Sequence, residues 1–378
     1  MDFVNETGFA ASIARVQLLY KDLLMATVVV KCTFDVGPNG EVRRAEEQIA
    51  VSEADVQDEL GTIDGDIVPI KSCCDVAVFG KAHAPDGAPS TMVQVDLRVG
   101  QLQRKLVVYG DRRWERDGAG FRPSAPTPFS SMPLTYDRAF GGSAIWYGSM
   151  AGSFADNAKG RGYLKRAEDV EGTPLPNIEE ADQLIRSWED APLPAAFAPL
   201  PRDSALRGTR GVVVDIGAQT TRLEPAFFTC AHPRMQMASY PAGSVVELQG
   251  MRPEGRWSFR LPEVALSVAV ELGGARYELP VVMDTLVMLP EQRRFYVVGR
   301  RALVYQFVAR RERRIQVVAH ASDGLVGTPS TIHAARIDHG VGVQIVPDDD
   351  DLPIPFDVLL RLDPMSELTE SLPLCLSA

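Results

Sequence analysis

Apolar and polar positions alternate with a period of two along most of this chain, the signature of strands with one buried face. MATVVVKCTFDV at 25–36 is the clearest case, a β-branched run that stops at the strong turn signal Gly37-Pro38-Asn39-Gly40. SIARVQLLY at 12–20 alternates well enough to be its partner, with 20–23 as the connection. Further strands are expected at 67–85, 91–100 and 104–118, and Asp86-Gly87 and Asp117-Gly118 turn the chain. In TMVQVDLRVG the expected inward positions are Met92, Val95, Leu97 and Val99. Residues 46–66 are acidic and read as a surface loop with short pieces of structure.

The alternation breaks at 119–142, where Pro123, Pro126, Pro128 and Pro133 exclude a helix and a central strand. The period changes once, in NIEEADQLIRSWED. Ile178, Ala181, Leu184, Ile185 and Trp188 fall on one helical face there, and Asn177 and Glu180 have the spacing of a reciprocal cap. A helix over 178–190 is therefore expected, stopped by Pro192 and Pro194. Alternation resumes at Val212 and continues to residue 321, with Gly273-Gly274 as a hairpin turn; from Ser322 it is lost.

The fold class this predicts is mainly β, of β-rich α+β type. Two β-sandwich- or barrel-like halves, 1–142 and 211–321, are joined by a Pro/Gly-rich layer at 143–210 that carries the helix. An irregular tail follows at 322–378. The 27 prolines and 31 glycines among 378 residues agree with many turns and short strands.

Charge and cysteine content narrow the function. A net charge of -11 argues against a nucleic-acid partner. The first residues, MDFVNETGFA, lack the basic start and apolar run of a secretory signal, and the apolar run at 23–30 is far shorter than a bilayer span. No membrane partner is expected. Five cysteines with no CxxC fit a reducing, cytoplasmic setting.

The densest chemistry is MPLTYDRAFGG at 132–142, where Tyr136, Asp137, Arg138 and Phe140 precede Gly141 and Gly142. It reads as a catalytic cluster, a structural corner or a docking surface. Partners for catalysis are scarce. His83, His232, His320, His333 and His339 match no zinc spacing, and the acidic run 348–351 lacks the pattern of a calcium loop. No glycine-rich nucleotide loop and no GxSxG elbow occurs. Cys73, Cys74 and Cys230 remain as thiol nucleophiles, with His83 or His232 as base; Cys230 and His232 would share a face on a strand. No cofactor or metal is expected. The basic clusters at 159–166 and 310–314 are solvated edges or docking patches for an acidic segment.

Several blocks occur in order: VVVKCTFDV, GDRRWE, PSAPTPFSSMPLTYDRAFGG, NAKGRGY, LPNIEEADQLI, PAAFAPLPRD and PAFFTCAHPRMQ, then PEGRWSFRLP. Over roughly residues 10–310 the set resembles a bacterial domain-of-unknown-function family encoded beside type VI secretion genes. That resemblance implies a cytoplasmic adaptor or chaperone that helps load an effector onto the secretion spike, through a PAAR or PAAR-like tip module. It carries over no catalytic residue. Where the family usually has Asn-Pro-Val-Gly-Arg-Gly-Phe, this chain has NAKGRGY. The partner surface expected on this basis is shaped by Tyr136, Asp137, Arg138, Phe140, Gly141, Gly142, Arg161 and Tyr163, which would equally serve to maintain the fold. An enzyme, such as a hydrolase using Cys230 and His232 or a metal at 348–351, is the alternative; a structural component of the secretion particle is the third reading.

Overall fold

The computed structural model describes residues 2–17, 23–146, 149–208, 212–215, 220–223, 225–272, 275–306, 316–321 and 354–355. The Gly273-Gly274 turn, the 310–314 cluster, His333, His339, the 348–351 run and almost all of the 322–378 tail lie outside them.

Two sheets face each other across the main core. The larger runs, in spatial order, through Ala10–Gln17, Leu23–Val36, Arg294–Gln306, Val282–Leu289, Cys74–Val78 and Gln236–Met237. Its pairings are antiparallel except where Val282–Leu289 runs parallel to Cys74–Val78. The second sheet is antiparallel throughout, in the order Ile178–Glu180, Leu102–Tyr109, Met92–Val99, Val245–Gln249 and Arg256–Arg260. Alternate side chains of both fill one apolar cluster, among them Val28, Val30 and Phe34 from the first and Val95, Leu97 and Leu248 from the second. Phe295 ties the sheets together, stacking on Phe34 at 5.1 Å and on Phe259 at 4.8 Å between ring centroids. A third sheet pairs Leu266–Leu272 with Ala275–Pro280 and with Gln316–Ala321, which also takes Asp2–Asn5 in parallel.

The protein is thus β-rich, and among the described residues none of these sheets closes into a barrel. Both facing sheets draw strands from 1–142 and from 211–321, so the two alternating stretches of the sequence interleave within the same sheets. No helix of the described residues is long and apolar enough to cross a membrane.

Two expectations change. The 178–190 segment is not helical. Ile178–Glu180 is a strand paired with Leu102–Tyr109, and the rest is turn and irregular backbone. Strand geometry sends Glu179 and Glu180 to opposite faces, and each meets a buried arginine. Arg112 pairs with Glu179, and Arg104 donates two hydrogen bonds to Glu180, at 2.9 and 2.5 Å. Asn177, expected as a helix cap, is buried and donates instead to the Tyr109 carbonyl at 3.1 Å and to Asp111 at 3.0 Å. Two buried ion pairs and the pairing with Leu102–Tyr109 outweigh a local capping pattern worth about 1 kcal/mol. The single α-helix among the described residues is the short Ala205–Gly208. Second, the inward set of Met92–Val99 is Val93, Val95, Leu97 and Val99, while Met92 is 49% exposed. Strict alternation back from Val95 selects Val93 and places Met92 outside.

The opposite face of the large sheet carries a second cluster of Val29, Ala77, Phe79, Val287, Tyr296 and Val298. Ile49, Val51, Leu60, Ile63 and Ile67 from the acidic 46–66 stretch and its end pack onto it. Lys31, in the middle of Leu23–Val36, faces this side. It is buried, bonds Asp66 at 2.9 Å, and lies 4.4 Å from the centroid of the Tyr296 ring.

Candidate functional site

Tyr136 to Arg138 form a single 3-10 turn, and Phe140–Gly141 then pairs in parallel with Arg161–Gly162. The structure therefore brings all eight residues singled out in the sequence into one corner. Backbone bonds stitch it: Arg161 N donates to the Ala139 carbonyl at 3.0 Å, Tyr163 N to that of Gly141 at 2.9 Å, and Asn177 N to that of Arg138 at 2.8 Å. Asn157, fully buried, donates through Nδ2 to the carbonyls of Tyr136 at 2.7 Å and Phe140 at 3.0 Å. The glycines are required by close approach. Gly141 has φ 145° and a Cβ there would lie 2.1 Å from the Asn157 carbonyl oxygen; Gly142 has φ 97° and a Cβ would lie 2.6 Å from that of Gly160.

The side chains of the corner differ in exposure. Tyr136 is buried, and burial pushes its phenol well above the ordinary value. Phe140 is buried with Trp114, Leu175 and Ile185, and Tyr163 lies at the margin of the same cluster, against Phe154 at 5.4 Å. Arg138 is half-buried, and its closest side-chain bond is to Asn177 at 3.5 Å. Arg161 donates to the Asp137 carbonyl at 3.1 Å. Asp137 is exposed and accepts from Thr135. Of these side chains, that of Arg161 bonds backbone directly, while those of Tyr136, Phe140 and Tyr163 pack into apolar clusters.

The thiols are arranged differently. Asp75 accepts from the backbone N–H of Cys230 at 2.9 Å and of Ala231 at 3.2 Å, from Lys71 Nζ at 2.6 Å and from Cys230 Sγ at 3.2 Å. Burial, and then the Asp75 charge, push the Cys230 thiol up to about 11, away from the thiolate a nucleophile needs. Burial and Asp75 raise Cys73 as well. His232 is buried and its Nδ1 accepts from Arg234 N at 3.1 Å, capping the turn Pro233–Met235. Among the described residues no group of three or more His, Cys, Asp and Glu side chains is placed to hold a metal ion.

Open surface is found where the acidic 46–66 stretch crosses the large sheet. The hairpin Val56–Asp58 and Gly61–Ile63 stands between two depressions. On one side is a groove of about 510 Å³ with an apolar floor, including Ile49, Val51, Leu60, Phe79 and Tyr296. On the other is a smaller cleft of about 300 Å³, bounded by Asp58, Glu59 and Thr62 and by Thr135, Tyr136 and Asp137 of the corner. The corner thus supplies one wall of the surface that the hairpin divides.

A family of bacterial proteins, described as "Uncharacterized protein conserved in bacteria (DUF2169)", has a sequence model that matches residues 22–300. The chain belongs to this family. No curated protein matches it, and no solved structure does. The stretch shared with DUF2169 holds the corner, the Asp75 set, the hairpin and both facing sheets apart from Ala10–Gln17 and the end of Arg294–Gln306.

The groove-lining residues of 49–63 were absent from the sequence expectations. A signal for them exists: Ile49, Val51, Val56, Leu60 and Ile63 interrupt an acidic stretch at intervals too frequent for a fully solvated loop.

Proposed function

We propose that this chain is a non-enzymatic adaptor that holds a secreted effector protein and assists its loading onto a type VI secretion spike. The contact on the effector is its N-terminal or PAAR-like region, and the encounter takes place in the bacterial cytoplasm. The observation that carries this reading is the groove of about 510 Å³, an apolar concavity built outside the core on the hairpin side of the large sheet. Concave apolar surface with a polar rim suits recognition of a partner by a few buried anchors. The ordered sequence blocks around 132–142 and 157–163 support the secretion setting by resemblance. The raised Cys230 thiol weighs against the hydrolase alternative.

Co-expression with the product of the neighbouring effector gene tests the proposal. The expected result is a complex that survives affinity purification and size-exclusion chromatography. Failure of every neighbouring gene product to co-purify, together with turnover of an ester or amide substrate that Cys230→Ala abolishes, would replace the adaptor with an enzyme.

A further inference from the structure

The groove's rim is charged in one sense. Asp58 and Glu291 line it, and Glu59 stands at the neighbouring hairpin turn. The cations facing these acids are Lys81, which bonds Glu59 at 2.8 Å, His83, which meets Glu291 at 3.2 Å, and Lys159, which lines the neighbouring cleft with Asp58 and Glu59. Lys31 at the floor is already matched by Asp66 and Tyr296. Three carboxylates against two ammonium groups leave the entrance net negative. Val56 stands beside them with 47% of its surface exposed, an apolar side chain at the lip.

We propose that this groove takes an extended segment of a partner protein in which a large apolar side chain is flanked by Lys or Arg. The identity of the partner as an effector rests on the adaptor reading; the chemistry of the segment rests on the groove alone. The apolar anchor enters between Val56, Phe79 and Tyr296, and the flanking cations meet Asp58, Glu59 and Glu291. Charge complementarity of this kind steers encounter and fixes register. A second copy of this chain is disfavoured by the net repulsion between copies that each carry -11. A small carboxylate ligand meets the same repulsion and finds Lys31 occupied.

Fluorescence anisotropy with three labelled peptides of equal length tests the proposal: Lys-Lys-Leu-Phe-Leu-Lys-Lys, the same with Glu for Lys, and the same with Ser for Leu and Phe. The first is expected to bind saturably and to weaken with salt, and the other two to bind at least tenfold more weakly. Val56→Lys and Glu291→Lys should each weaken the first peptide at least tenfold with the circular dichroism spectrum unchanged. The double change Glu59→Lys with Glu291→Lys should shift preference toward the Glu peptide. Equal binding of the Lys and Glu peptides, or binding indifferent to Val56→Lys, overturns the assignment. So does a dimer in sedimentation that Val56→Lys dissolves, which would make the occupant a second copy. If the effector co-purifies equally with the unaltered protein and with Val56→Lys, the groove assignment fails and the adaptor stands. If the peptides behave as expected while no neighbouring gene product co-purifies, the adaptor fails and the groove's chemistry stands.

Discussion

The corner at 136–142 and the groove beside 56–63 adjoin, yet they use their residues in opposite ways. The corner spends an arginine, an asparagine and two glycines on fixing three chain segments to each other. Its carbonyls are claimed by Asn157, Arg161, Tyr163 and Asn177. The groove is lined mainly by aliphatic residues with Phe79 and Tyr296, and leaves Val56 and its acids facing outward. Unusual residue chemistry here marks a place where backbone must be tied down, and ordinary chemistry in an unexpected place marks open surface.

That contrast can be broken by substitution. Gly141→Ala should have the largest effect. Backbone strain of about 1–3 kcal/mol adds to about 1–3 kcal/mol of overpacking against the Asn157 carbonyl, enough to leave little folded protein by circular dichroism or soluble yield. Asn157→Ala strands the Phe140 carbonyl, while that of Tyr136 keeps its bond from Ala139 N, and should lower stability by about 1–3 kcal/mol in urea titration. The Asp75 set predicts an alkaline effect of about 2–3 kcal/mol. Folding favours the neutral Cys230 thiol, so its share of stability is complete below the ordinary value near 9 and is lost as pH rises through about 11. Thermal melts from pH 8 to 11 should fall less steeply for Cys230→Ala. Arg138→Ala should cost only about 0.5 kcal/mol, because the Asn177 bond to residue 138 is made by the backbone carbonyl; a loss above about 2 kcal/mol would put the side chain into the corner's framework. Val56→Lys should change stability by less than about 0.5 kcal/mol while removing partner binding. A groove residue whose loss unfolds the protein would erase the distinction between the two regions.

The β-rich class was legible because alternation is a local property, and so was the turn-rich character of 119–142. The interleaving of strands was not, since nothing in Leu23–Val36 announces that its neighbour is Arg294–Gln306. Residues 178–190 show how local pattern misleads. Asn177 and Glu180 have capping spacing, but their partners are Tyr109, Asp111 and Arg104, far away in sequence. Ile185 and Trp188 reach the cluster around Trp114, the Ile185 N–H held by Glu179 at 2.8 Å, while Ile178 enters the main core, so the apolar positions do not share one face. At the corner, residues 136–142 stand out by their chemistry, and Arg161 and Tyr163 by the family resemblance. Their mutual contacts depend on parallel pairing between segments that no periodicity connects. The groove was missed because net acidity in 46–66 masked its aliphatic residues.

The pairing of Leu23–Val36 with Arg294–Gln306 has a consequence for how the protein is made. Asp35 and its partner Arg294 are 259 residues apart. At synthesis rates of about 5–20 residues per second, the early strand waits roughly 13–50 s for its neighbour to be translated. Through that interval VVV at 28–30 has only Ala10–Gln17 beside it, and its other edge is bare. A nascent chain in this state offers an apolar strand edge to any other copy on the same messenger. Slow completion and sensitivity to ribosome spacing are therefore built into the sheet order itself.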